Sequence, residues 1–178
     1  MSAVPTHSSD TLCLQCGLCC NGVLFADVKL KPADDPVRLT AGGLPVRGKG
    51  KNHCFAQPCT ALQPDGKCCV YLDRPTMCRQ FECGVLKEVL KGSLAQAEAL
   101  RLIRRVQKLA ARVTRLLEAS GDQDAHRPLT KRYQSVMRQP IDLSAGDEAG
   151  DRRGELMLAV QQLMELVQQR FLRDAAAG

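Results

Sequence analysis

Apolar and polar positions divide this chain into two unlike halves. From Val85 to Ser120 the apolar residues follow helical spacing: Ala99, Ile103, Val106, Ala110, Val113 and Leu117 recur every three or four residues. Such a line places one face of a long helix against a core. Leu102, Leu109 and Leu116 widen it, and Gly121 is the expected stop. Gly92-Ser93 separates this helix from a shorter one, with Ser93 a candidate cap. A short helix is expected from Pro128 to Met137, between polar linkers at 121–127 and 139–153. A last helix is expected from Glu155 to Arg173, burying Leu156, Val160, Leu163, Val167 and Phe171. Two such helices pack most simply as an antiparallel hairpin.

The first half lacks this periodicity. Residues 1–11 read as a disordered lead-in. Val23 to Leu30 reads as a short strand or extended segment. Residues 31–52, rich in Pro and Gly, read as a long loop with one helical turn near Asp34 to Leu39. Loops of this length are usually functional or mobile. Asp73-Arg74-Pro75 reads as a helix start, with Asp73 the cap. Cys78 and Cys83 would point about 140° apart on a continuous helix. Either that helix ends before Gly84, or the two thiols serve different neighbours.

Composition sharpens the picture through sulfur. All ten cysteines lie between Cys13 and Cys83, four of them within Cys13-Leu14-Gln15-Cys16-Gly17-Leu18-Cys19-Cys20. The start of the chain has no basic stretch followed by an apolar one, so it does not read as a secretory signal. No apolar run is long enough to span a bilayer. The expected compartment is the cytoplasm, where thiols stay reduced. Cysteines there point to metal rather than to disulfides.

Thiolate is a soft ligand that selects zinc, copper(I) or iron–sulfur centres. The two-residue gaps Cys13–Cys16 and Cys16–Cys19 let paired sulfurs face one centre, and Gly17 lets backbone N–H groups approach them. Adjacent Cys19 and Cys20 tend to diverge, so one of them serves a second centre or bridges two metals. Ten thiols could fill two four-thiolate sites with two to spare, or one site with several buried free thiols. Spacing alone leaves zinc and an iron–sulfur cluster both open.

Two blocks resemble a known family. Cys13-x2-Cys16-Gly17-x-Cys19-Cys20 and the run from Cys68 through Tyr71, Arg74-Pro75, Cys78-Arg79 and Phe81 to Cys83 are similar to the YkgJ-type cysteine-cluster proteins, the zinc- or iron-chelating CxxCxxCC family. Cys59 fits the family's intermediate cysteine. The resemblance covers about residues 12–84 and implies eight metal ligands: Cys13, Cys16, Cys19, Cys20, Cys59, Cys68, Cys78 and Cys83. Cys54 and Cys69 depart from the pattern; they read as extra ligands or, the favoured reading, as ordinary buried thiols. Flagellin lysine-methylase relatives join such a motif to methyl transfer. This chain shows no glycine-rich cofactor loop, and that activity is not carried over.

Arg74 and Arg79 are candidates to balance thiolate charge, or else to pair with Asp73 and Glu82. Tyr71 and Phe81 are expected to cover the site. Among the histidines only His53 stands near a cysteine, and an exposed loop position suits it better than ligation; His7 and His126 suggest no role.

The net charge of +6 concentrates in Arg101, Arg104, Arg105, Lys108, Arg112 and Arg115, opposite the apolar stripe. This is a solvated helix face or a docking surface for an unknown protein partner. Nucleic acid is the weaker fit, because no aromatics interleave to stack bases.

The expected fold is mainly α: an irregular cysteine-rich metal-binding module (12–84) packed as one unit against a C-terminal α-helical hairpin within the extension 85–178. Function follows the sulfur. The first reading is an iron–sulfur or polynuclear metal centre with a redox or metal-dependent accessory role. The alternative is a structural Zn2+ interaction module without catalysis, favoured by the lack of a recognisable acid–base pair.

Overall fold

The computed structural model describes residues 8–140 and 147–173, with side chains from residue 12 and, in the last helix, from residue 150. It is mainly helical. The helices are α1 (Ser8–Cys16), α2 (Pro36–Ala41), α3 (Thr76–Gln80), α4 (Gly84–Leu90), α5 (Gln96–Ala119), α6 (Leu129–Arg138) and α7 (Asp147–Arg170). Strands β1 (Asp27–Lys29) and β2 (Cys54–Ala56) pair antiparallel, with Val28 opposite Phe55.

The helical half follows its apolar spacing closely. All six residues of the α5 stripe are buried. They meet Leu156, Ala159, Leu163, Val167 and Phe171, while Val160 lies only partly buried beside them. Arg112 on α5 pairs with Glu155 near the start of α7, and the far end of α7 returns to α4, where Gly84 N–H donates to Phe171 O at 2.9 Å. The two long helices therefore run antiparallel as a hairpin. No described helix is long and apolar enough to cross a membrane.

Three boundaries differ from expectation. The stretch read as part of the lead-in forms α1 from Ser8, held by Leu12, which is buried in the helical core; residues 1–7 lie outside the described residues. Helix α7 starts at Asp147, within the stretch read as a linker, because nothing in Asp147–Gly154 forbids another two turns; residues 141–146 lie outside the described residues. Ser93 does not cap α5: its hydroxyl donates to Glu88 O, and Ala95 takes the cap position.

The long loop is packed. Leu39 and Leu44 join Val28, Leu30, Phe55 and Ala61 in a second, small core separate from the helical one. Asp35 caps α2, accepting from the N–H groups of Val37 and Arg38.

At the start of α4 only glycine fits. A Cβ on Gly84 would sit 2.5 Å from Arg170 O, a backbone atom. Gly84→Ala gains helix propensity of about 1 kcal/mol but meets an overpacking cost of about 1–3 kcal/mol. A net loss is expected, visible as a lower urea midpoint. An unchanged midpoint would show that the end of α7 yields freely.

Candidate metal centre

Each sulfur is placed by a different local device. Cys13 and Cys16 lie three apart on α1, so they share a helix face. Gly17, at φ +65°, ends α1 and turns the chain into a tight loop in which Cys20 N–H and Asn21 N–H donate to Gly17 O. This loop presents Cys19 and Cys20. Cys59 N–H then donates to Cys20 O at 2.7 Å, drawing in a segment 39 residues away. A bridge between Leu62 and Cys68 sets Cys68 beside that segment.

Cys78 sits in α3. Asp73 was expected to cap this helix; instead it pairs with Arg38 at 2.5 Å. The cap comes from Asp34, whose Oδ1 accepts from the Thr76 N–H at 2.8 Å and the Thr76 hydroxyl at 2.7 Å. Helix α3 ends at Gln80, and Cys83 becomes the N-cap of α4, its Sγ accepting from Leu86 N–H at 3.4 Å. The break before Gly84 is thus real, and it separates Cys78 from Cys83.

Seven of the eight family-pattern thiols, all but Cys59, line one cavity of about 340 Å³. Its walls are otherwise largely apolar, and Tyr71 and Phe81 both line it, as expected of covering residues. Phe81 stacks edge-to-face on Phe25 at 4.9 Å. Cys54 is half-buried in β2, and Cys69 is exposed rather than buried as expected; neither lines the cavity. His53 is half-buried and away from it, and His126 is exposed; His7 lies outside the described residues. All ten cysteines are free thiols. Among the described residues, no three or more His, Cys, Asp or Glu side chains converge tightly enough to hold a single ion.

The electrostatics oppose bare thiolates here. Burial pushes Cys16 up to about 12 against the Leu18 N–H aimed at its sulfur, and nearby Cys83 and Cys13 add to the rise. Burial, then Cys16, Cys20, Cys83 and Cys13, raise Cys19 well above 9.0. Burial lifts Cys20 to about 12, followed by Cys59, Cys78 and Cys68. Cys78 also reaches about 12 through burial and then Cys59 and Cys68, with Arg74 pulling the other way. Without a cation these groups stay neutral; a bound metal reverses the balance.

Backbone N–H groups nevertheless point at the sulfurs. Leu18 serves Cys16, Ala61 and Leu62 serve Cys59, Val70 serves Cys68, and Val85 and Leu86 serve Cys83. Arg74 lies over the Tyr71 ring at 3.5 Å, donates to Tyr71 O, and lines the cavity. Arg79 instead faces Asp34.

Comparison with family models, with curated proteins and with solved structures finds no match.

Sequence reasoning missed two positioning groups. Gln107, on the helical face of α5, donates to Cys16 O at 2.9 Å and fixes the end of α1. Asp34 fixes α3 from 42 residues away. Neither carries a local signal, since both act through tertiary approach.

Proposed function

We propose that the chain holds an iron–sulfur or other polynuclear metal centre through Cys13, Cys16, Cys19, Cys20, Cys59, Cys68, Cys78 and Cys83, and serves a redox or metal-dependent accessory role. The observation that carries this reading is the cavity that seven of these eight thiols line together, between largely apolar walls. Soft sulfur donors gathered round one space suit zinc, copper(I) or iron–sulfur centres.

The donor set fits the group. A lone tetrahedral zinc needs four sulfurs about 2.3 Å from one point. In a cluster each thiolate takes its own iron, so the core spreads the sulfurs apart. Sulfurs standing round a cavity suit the second arrangement. When bound, such a centre supplies one-electron chemistry or Lewis acidity. The chain's own part is to exclude water with Tyr71 and Phe81 and to offset negative charge with Arg74. The resemblance to the YkgJ-type family supports the same assignment. A reducing cytoplasm would keep the thiols ready for metal.

The cationic face of α5 is the proposed partner surface. Arg101, Arg104, Arg105, Lys108 and Arg115 are exposed there, on the helix that packs against α1. An acidic protein surface complements it.

Anaerobic purification, with metal and acid-labile sulfide analysis and a visible spectrum, tests the reading. A brown protein containing iron and sulfide is expected. A colourless protein containing only zinc would replace it with the structural-zinc module, and a metal-free, fully folded protein would overturn both.

A further inference from the structure

We propose that the eight thiols form two separate four-thiolate centres, one held by Cys13, Cys16, Cys19 and Cys83, the other by Cys20, Cys59, Cys68 and Cys78. This rests on the metal-binding reading above and specifies its architecture.

The division follows the packing. The molecule has two hydrophobic cores, and the sulfurs sort between them: Cys16, Cys19 and Cys83 pack on the helical core, whereas Cys59, Cys68 and Cys78 pack on the small core of the first half. Helix α1, which carries Cys13 and Cys16, packs against α4, whose N-cap is Cys83. On the other side, the Cys59 N–H to Cys20 O bond and the Leu62–Cys68 bridge join three segments, and α3 brings Cys78 to them by packing on β1. The two groups adjoin at the peptide between Cys19 and Cys20, and members of both face one cavity.

The cations divide in the same way. Each group has its own cation, Lys87 beside Cys83 and Arg74 beside Cys68 and Cys78. Two negatively charged centres need two counter-charges, and the chain supplies one on each side.

The test is selective loss from the full chain, purified anaerobically with whatever metal it carries. Cys83→Ser, which keeps an N-cap oxygen for Leu86 N–H, and Cys59→Ser should each retain half of the metal and half of the thiolate-to-metal absorbance. The double variant should retain none, and Cys69→Ser should retain all. Loss of all metal from either single variant, with helical circular dichroism preserved, would overturn the proposal. So would full retention in either. Independently of folding in the variants, native mass spectrometry of the wild type during stepwise chelation should show a half-loaded species. A direct passage from fully loaded to apo would overturn two centres in favour of one. A wild type that carries no metal at all would refute the metal-binding reading itself.

Discussion

If the chain holds the proposed metal centre, chelation of the reduced protein is expected to abolish amide-exchange protection in residues 27–80 while α5 and α7 stay protected. The reason lies in the unequal size of the two cores. Among the described residues, the helical core buries eighteen apolar side chains, drawn from α1 and the loop after it, α4, α5, α6, and α7 with the Phe171 that follows it. The other holds six: Val28, Leu30, Leu39, Leu44, Phe55 and Ala61. It is served by a sheet of two three-residue strands, and two-stranded pairings are marginal in water. Units this small usually need a staple. A structural metal supplies on the order of 10 kcal/mol or more of apparent folding free energy.

Cys78→Ser should reproduce the chelator's effect in residues 27–80, since it removes a proposed ligand on that side. Cys16→Ser should also lower metal content, but its segment leans on α5 through Leu12 and through Gln107, so α1 should keep partial protection. Unchanged exchange in residues 27–80, in a protein shown to have lost its metal, would mean that the small core stands unaided and that the thiols do no structural work.

What could be read in advance follows the range of the forces. The α5 stripe was legible because periodicity is local: a residue every three or four positions declares a face before any partner is known. The pairing with α7 followed from the same rule. Helix α1 was not legible, because Ser8–Cys16 has almost no amphipathic pattern and is fixed by the burial of one leucine against distant helices. The β1–β2 ladder was half legible. Its first strand alternates weakly, but nothing near Cys54 names Asp27–Lys29 as a partner. The capping of α3 was assigned to Asp73, adjacent in sequence, whereas Asp34 performs it across 42 residues. Cysteine spacing raised the choice between one site and two but did not divide the thiols. That division depends on which core each segment packs against, which is a tertiary fact.

The other large effect expected is at Asp122, in the stretch that reads as a polar linker, and at Arg132, in the short helix that follows it. Arg132 on α6 donates from Nε to Asp122 Oδ2 at 2.7 Å, and both side chains are only 6% exposed. Glu118 lies 3.9 Å from Arg132 Nη2 but is 55% exposed, so solvent screens it. Arg132 Nη2 is itself buried without a hydrogen bond among the described residues, so the guanidinium depends on Asp122. Asp122→Ala leaves a charge buried without its partner, which costs about 3–5 kcal/mol. For a chain of this size that corresponds to a fall in Tm of roughly 10 °C. The pair as a whole need not be stabilising, because two desolvated charges recover little more than they lose. Replacing both, as Asp122→Leu with Arg132→Met, should therefore restore most of the stability lost by either single change. Denaturant midpoints of the two single variants and the double variant provide the measurement. If Asp122→Ala stays within about 1 kcal/mol of the wild type, then water or Glu118 reaches Arg132, and α6 is held to α5 by Val136 and its apolar neighbours alone.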